Sequence, residues 1–170
     1  MPYSAPTPHY RPSTWQKRRV SSYSYVIPDQ KARVHRQLRQ LGLSRWGRMT
    51  GEARYLPKLI HPQEQLGGVV YGNSEAGLVM VVATDRRIIY IDYKPFFMKT
   101  EEINYDVVSG VTLEWVGWSG TVVLHTRMGD YTVRTANRKA AEIFRAYLEK
   151  RCIEHQNGRQ QSSVIVRRNH

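Results

Sequence analysis

The chain has few of the residues from which small secreted proteins and metal sites are built. It contains 170 residues and one cysteine, Cys152, which excludes an internal disulfide and indicates a reducing, cytoplasmic setting. Six scattered histidines, with no second cysteine beside them, do not match any zinc-ligand spacing. We therefore expect no metal and no cofactor.

Long apolar runs are also missing. The longest block, Leu78 to Ala83, is far shorter than the roughly 18 to 20 residues that span a bilayer. Near the N-terminus, three consecutive cations are followed by a serine and tyrosine stretch where a signal peptide needs an apolar segment. We expect no transmembrane segment, so that any contact with a membrane is made from its surface.

Acidic residues are scarce at the two ends of the chain. The 26 Lys and Arg against 14 Asp and Glu give a net charge of +12. Residues 1–55 hold eleven basic and two acidic residues, or +9, and residues 151–170 hold four and one, or +3. Residues 56–150 hold eleven of each, so this neutral middle is predicted to be the folded unit.

The N-terminal third is predicted to hold a disordered basic arm and two short helices. Residues 1–28 carry five of the eight prolines and no apolar period, a composition that cannot offset the entropy of ordering. Over 29–60, Asp29 is expected to cap or begin a helix that Gly42 ends, and Thr50 to cap a second helix running to Ile60. The first helix has a short apolar stripe formed by Val34, Leu38 and Leu41. Roughly opposite the stripe are three arginines, Arg33, Arg36 and Arg39.

From residue 65 onward the pattern is that of β-strands. Seven β-branched and aromatic runs are separated by turn residues, at 66–71, 78–83, 88–93, 99–103, 111–115, 121–126 and 131–135. A final amphipathic helix is predicted from Asn137 to about Cys152, followed by a disordered basic tail over 153–170. Antiparallel strands without crossover helices must curl into a sandwich or barrel, and the terminal helix suits one open end as a cap. The predicted class is α+β, mainly β.

Three motifs in this region stand out: 59–66 (LIHPQEQL), 79–92 (VMVVATDRRIIYID) and 103–111 (INYDVVSGV). Together they resemble the bacterial pleckstrin-homology-like domains of the YokE-like type. The resemblance spans about 56 to 152 and implies a pleckstrin-homology (PH) fold, with the domain itself at 61–152. From the residues alone, Thr84 and Asp85 have the chemistry of a tight turn, with their side-chain oxygens accepting from nearby backbone donors.

Catalytic chemistry is not indicated. No nucleophile has a base beside it in any known spacing. The paired carboxylates are explained by their positions in turns and at strand edges. The glycine pairs lack the Lys-Ser/Thr that follows a phosphate-binding loop. We predict that the protein is not an enzyme.

Anion-binding candidates fall in three groups. The arm contributes Arg11, Lys17, Arg18 and Arg19, interleaved with aromatics, and the first helix contributes Arg33, Arg36 and Arg39. The strand region contributes Arg86, Arg87, Lys94 and Lys99, which would hold phosphate if they met in one patch. The loop 72–77 carries an acid and no base, which argues against the inositide site that PH domains place there.

The two aromatic candidates, Trp115 and Trp118, flank a glycine at a predicted hairpin tip. We expect Trp115 to end a strand in the core and Trp118 to lie near solvent.

The sequence favours a non-catalytic protein-interaction or scaffold module with basic appendages, which the resemblance implies can self-associate. Peripheral binding to anionic membrane lipids and nucleic-acid binding through the basic arm are the alternatives. We expect the stripe of the first helix to pack on the domain, the alternative being that it lies in a membrane interface. The sequence leaves the partner and the oligomeric state open.

Overall fold

The computed structural model describes the backbone of residues 28–167 and the side chains of 29–155 and 157. The helices are α1 (Pro28–Gln40), α2 (Gly51–Leu59) and α3 (Arg138–Arg167). The strands are β1 (Leu66–Ser74), β2 (Gly77–Thr84), β3 (Ile88–Tyr93), β4 (Met98–Ile103), β5 (Val108–Val116), β6 (Ser119–Thr126) and β7 (Gly129–Thr135). All seven predicted strands are confirmed, most of them one to three residues longer than the sequence indicated.

The seven strands form one curled antiparallel sheet in the order β4-β3-β2-β1-β7-β6-β5. β1 pairs with β2 along its whole length, whereas its ladder with β7 consists of the single pair Asn73 and Arg134. The sheet therefore turns at β1 into two halves, β1–β4 and β5–β7, that face each other. The predicted mainly-β class, a curled sandwich capped by a helix, is confirmed.

Apolar residues lie on both faces of the first half of the sheet. Successive residues Val69 and Val70 of β1 are both buried, and they belong to different clusters. One cluster, the inner core, lies between the two halves of the sheet and α3, and includes Val81, Tyr90, Leu124 and Phe144. The other, the outer core, lies between the outer face of β1–β3 and the N-terminal helices, and includes Val34, Leu38, Leu56, Met80 and Ile89.

The helix α1 begins and ends with the residues that the sequence indicated. Asp29 lies in its first turn, where a carboxylate interacts favourably with the helix dipole. After its last residue the backbone reverses at Gly42, whose φ of 83° is readily adopted only by glycine. The amide of Leu43 then donates back to the carbonyl of Leu38 at 3.0 Å, which closes the end of the helix.

The stripe of α1 packs on the domain. Val34 and Leu38 are fully buried and Leu41 is half-buried against the outer core. Thr50 caps α2 as predicted, its hydroxyl accepting from the amide of Ala53 at 3.4 Å. Because the stripe is buried in the outer core, the alternative in which its apolar side chains enter a membrane interface is wrong.

The terminal helix α3 begins where the sequence predicted and ends later. The side-chain carbonyl of Asn137 accepts from the amide of Ala140 at 3.2 Å, and its side-chain amide donates to the carbonyl of Gly42 at 2.8 Å. The helix continues to Arg167, past the predicted end near Cys152 and into the segment expected to be an unstructured tail. Helix-favouring Arg and Gln residues at 159–161 continue the helix beyond Gly158.

We propose that 29–60 and 61–152, distinguished as separate segments in the sequence, unfold together. Leu38→Ala is then expected to lower the free energy of unfolding of the whole domain by about 2 to 5 kcal/mol, because it leaves a cavity in the outer core. Urea denaturation followed by circular dichroism measures this, with the exposed Arg36→Ala as the matched control on the same helix. A change below about 0.5 kcal/mol for Leu38→Ala would contradict shared folding.

Candidate functional site

The described structure begins at residue 28, so four of the predicted anion-binding residues, Arg11, Lys17, Arg18 and Arg19, lie outside it. The seven others can be placed. They divide into cations that hold the fold together and cations that are free to meet a partner.

Arg33 stabilises the fold instead of pointing away from the apolar stripe. Its guanidinium donates to the backbone carbonyl of Glu64 at 2.8 Å and to that of His61 at 3.3 Å, which ties α1 to the loop before β1. Arg36 and Arg39, on the same helix, are exposed. Of the three helical arginines, two therefore remain available to an anion.

Arg87 is also used inside the domain. Its Nε donates to Glu64 Oε1 at 3.2 Å, one Nη donates to the carbonyl of Leu59 at 2.9 Å, and the other lies 2.5 Å from Glu102 Oε2. Two carboxylates and a carbonyl thus satisfy the guanidinium, which leaves it little capacity for phosphate.

The carboxylate of Glu64 is the centre of this network. It is fully buried and accepts from the amide of His61 at 3.0 Å, from the hydroxyl of Thr84 at 2.7 Å and from Arg87. Burial acts to raise the pKa of Glu64, but these hydrogen bonds and the Arg87 charge outweigh it and hold the pKa below the ordinary value. The residues of the family-like motifs at 59–66 and 79–92 therefore meet as a structural junction.

The turn between β2 and β3 has the predicted geometry. Thr84 Oγ1 accepts from the amides of Arg86 and Arg87 at 3.1 and 3.0 Å, and Asp85 Oδ1 accepts from the amide of Gln65 at 3.0 Å. The Tyr105 hydroxyl and the Arg151 guanidinium donate to backbone carbonyls of this turn. Arg86 is exposed at its tip.

The four cations of the predicted strand patch are not brought together. Arg86 and Arg87 precede β3, whereas Lys94 and Lys99 lie at its far end, about 20 Å away at roughly 3.3 Å per residue. Lys94 Nζ lies 2.8 Å from Asp92 Oδ1, and Lys99 Nζ lies 2.5 Å from Glu101 Oε1. The two lysines are therefore neutralised by neighbouring carboxylates.

The open end of the curled sheet holds a polar pocket of about 240 Å³. It lies where β1 and β7 separate, and two tyrosines and two acids contribute to its lining: Tyr90, Tyr131, Glu75 and Asp130. The Tyr131 hydroxyl donates to Glu101 at 2.6 Å, and this bond, with burial, raises the pKa of Tyr131 to about 12. A pocket lined by carboxylates repels phosphate, which agrees with the acid and absent base noted in the loop 72–77.

The hairpin between β5 and β6 carries the two predicted aromatic candidates. Trp115 packs against the inner core, its ring 4.8 Å from the guanidinium of Arg138. Trp118 and Val116 are each 82% exposed at the tip, where Gly117 has a φ of 60°. The structure therefore has the arrangement that the sequence favoured.

A second exposed apolar surface was missed in the sequence. Phe96 and Phe97, in the turn between β3 and β4, are 98% and 59% exposed. With three neighbouring exposed side chains they form what we term the hairpin patch: Leu78, Tyr93, Phe96, Phe97 and Met98. The sequence did contain a signal for this exposure: two phenylalanines lie between Pro95 and the next strand, and a short turn cannot bury both.

The two edge strands differ in how they are protected. β4 has three charged residues among six, Lys99, Glu101 and Glu102, which is a common way to prevent edge-to-edge pairing. β5 has one charged residue, Glu114, among nine. In the described part of the chain, β5 pairs along its length only with β6, so its outer edge is open.

Seven antiparallel strands curled into two facing halves, with a C-terminal helix against the inner core, define a PH-like fold. A family model described as "Bacterial PH domain" matches residues 60–150, and the chain belongs to this family. A PH-like domain supports a role in protein or lipid interaction, and PH domains are generally non-catalytic.

One solved structure is similar: a crystal structure of a DUF1696 family protein with a pleckstrin-homology domain from Shewanella loihica PV-4. It is 20% identical over 49% of this chain and 74% of that chain, with a TM-score of 0.33. No curated protein matches.

No helix within 28–167 is long and apolar enough to cross a membrane. No group of three or more His, Cys, Asp or Glu in the same range is placed to hold a metal ion.

The lowered pKa of Glu64 predicts a pH-dependent contribution to stability. A carboxyl with a depressed folded-state pKa stabilises the fold above the unfolded value of about 4.5, and this contribution is lost as pH falls through the folded-state pKa. At pH 7, Glu64→Gln is expected to lower the free energy of unfolding by about 2 to 4 kcal/mol. Urea denaturation from pH 7 to pH 3 should show this difference shrinking below about pH 4.5.

The matched control is Glu142→Gln, which removes an exposed carboxylate that pairs with Arg138 at 3.6 Å. This change should cost less than about 1 kcal/mol at any pH, because exposed pairs contribute little. An equal loss of stability for Glu64→Gln at pH 7 and pH 3 would contradict the assigned charge interaction.

Proposed function

We propose that the protein is a non-catalytic protein-interaction module that self-associates by pairing the β5 edges of two copies. The observation that carries this proposal is that β5 is an open, nearly uncharged edge ending in the exposed Val116–Trp118 tip. Exposed edges of this kind accept another strand, and a second copy presents an identical one.

The geometry of β5 favours this pairing. Its nine residues exceed the usual strand length, so an added strand can make many backbone hydrogen bonds. Val111, Leu113 and Trp115 pack towards the inner core, so one face of the strand is anchored in the domain. The edge is therefore held rigidly, which lowers the entropic cost of adding a partner.

The tip supplies an apolar anchor next to this edge. Trp118 projects into solvent. Three residues earlier, the ring of Trp115 is held between the Arg138 guanidinium and the backbone of Gly120, which lies close to it. An exposed tryptophan on a fixed support is typical of residues that contribute strongly to protein interfaces. The tip thus supports recognition beyond backbone pairing.

The charge of the protein predicts how this association responds to salt. A net charge of +12 on each copy opposes association by long-range repulsion, whereas β5 itself is nearly neutral. Salt screens the repulsion and leaves the contacts of the edge largely unaffected. Self-association is therefore strengthened by salt, the opposite of binding to an anionic partner.

We also propose a cytoplasmic location, which the single, half-buried Cys152 supports. Nucleic-acid binding through the arm stays a prediction, because its four basic residues lie outside the described structure.

Analytical ultracentrifugation of the full chain tests self-association. We expect a concentration-dependent dimer that is more populated at 0.5 M than at about 0.05 M salt, where screening is weaker. Trp118→Ser combined with Val116→Lys should weaken the dimer at least tenfold, because it removes the anchor and places a charge at the end of the edge.

Phe96→Ser combined with Phe97→Ser is the matched control, since it removes exposed aromatics from a different hairpin. Sedimentation as a monomer at every soluble concentration, in low and in high salt, would contradict the proposal.

A further inference from the structure

We infer that the hairpin patch and the basic N-terminal helices together form a surface that docks on a bilayer containing anionic lipid. The inference goes beyond self-association, because it uses a different hairpin, a different charge distribution and a different partner. It rests on three observations: the alignment of the patch, its continuity with a cationic layer, and the exposure of its tip.

The patch lies on one face of the sheet. Tyr93 of β3 pairs with Met98 of β4, so their side chains are on the same face. Met80 pairs with Ile91, and two residues further along this register Leu78 lies opposite Tyr93. Met80 and Ile91 belong to the outer core, so the row Leu78, Tyr93 and Met98 extends the same face beyond the helices that cover it.

The tip of the patch projects past this row. The turn is closed by the Lys94 amide, which donates to the carbonyl of Phe97 at 2.8 Å. Lys94 Nζ also donates to the carbonyl of Ala76 at 2.7 Å, which ties the turn to the neighbouring β1–β2 hairpin. The two phenylalanine rings are therefore presented to solvent on a supported turn. Amphipathic and aromatic side chains in such positions enter the boundary between headgroups and acyl chains.

A basic layer adjoins the patch. The ring of Tyr93 packs so closely against Gly51, the first residue of α2, that a side chain at 51 has no room. Residues 29–60 carry eight basic and two acidic residues, a net charge of +6. One of the acids, Glu52, is buried, and six cations are exposed: Lys31, Arg36, Arg39, Arg45, Arg54 and Lys58.

This charge favours a lipid surface over a second copy of the chain. Two copies meeting through the patch would bring two layers of +6 together, which costs energy. An anionic leaflet attracts the same layer, and each cation near the surface strengthens binding. Within the hairpin, Asp92 and Glu101 are neutralised by Lys94 and Lys99, so unpaired carboxylates there do not oppose the approach. The partner that fits is a bilayer rich in acidic phospholipid.

Co-sedimentation of the full chain with vesicles tests the inference. The chain should bind vesicles of phosphatidylglycerol and phosphatidylcholine, and bind pure phosphatidylcholine at least tenfold more weakly. Phe96→Ser combined with Phe97→Ser should weaken binding to the mixed vesicles at least tenfold with no loss of dimer. Arg36→Gln combined with Arg39→Gln should weaken it several-fold, because two exposed cations are removed.

Trp118→Ser is the matched control, because it removes an aromatic that is 82% exposed from the β5–β6 hairpin. It should leave vesicle binding unchanged while it weakens self-association, so the two proposals fail independently. Phe96→Ser alone removes a ring that is 98% exposed, so it keeps the test valid if the double variant is less stable.

Three results would overturn the inference. The first is that the full chain does not bind the mixed vesicles. The second is that Phe96→Ser combined with Phe97→Ser binds them as tightly as the unaltered chain, since binding would then come from other cations. The third is that the double variant loses the dimer and retains vesicle binding, which would make the patch a protein interface.

Discussion

The first three strands bear buried apolar side chains on both faces, and this double requirement for burial determines how the rest of the chain is arranged. The second half of the sheet and α3 cover the inner face, with Val70 and Phe144 in one cluster. The outer face needs α1 and α2, which lie before residue 60 and so outside the segment matched by the family. The buried carboxylate of Glu64 fixes the junction between this added layer and the sheet, because Arg87 and the loop after α2 both bond to it.

The same arrangement decides which cations remain available to a partner. Arg33 and Arg87 look like surface charges in the sequence, but they hold α1, the α2 end and β3 together. The net positive charge of the described residues is concentrated on the helices of the outer layer, because residues 29–60 carry +6. The exposed apolar surface is concentrated at two hairpin tips on different edges of the sheet. The two proposed interfaces, one with a second copy and one with a charged bilayer, therefore use different parts of the domain.

The sequence predicted the strands well because each β-branched run is bounded by residues with turn chemistry, and it predicted the caps at Thr50 and Asn137 for the same local reason. It did not predict the partners of the cations, because Arg87 and Glu64 are 23 residues apart and only the fold brings them together. The predicted end of α3 near Cys152 was too early, because the polar and basic residues after it were interpreted as a disordered tail, whereas several of them favour a helix. The sequence was sufficient to place Phe96 and Phe97 in a turn. It was not sufficient to predict their exposure, which depends on where β4 begins.

Native-state hydrogen exchange tests most directly whether the helices of the outer layer are integral to the domain. In a single cooperative unit, amides such as Leu38 in α1 exchange only through global unfolding, as do core amides of β2 and β3 such as Val81 and Ile89. We expect the same opening free energy, within about 1 kcal/mol, at these three sites. Fast exchange at Leu38 together with full protection of Val81 and Ile89 would contradict this expectation. The sheet would then stay folded while the helices open.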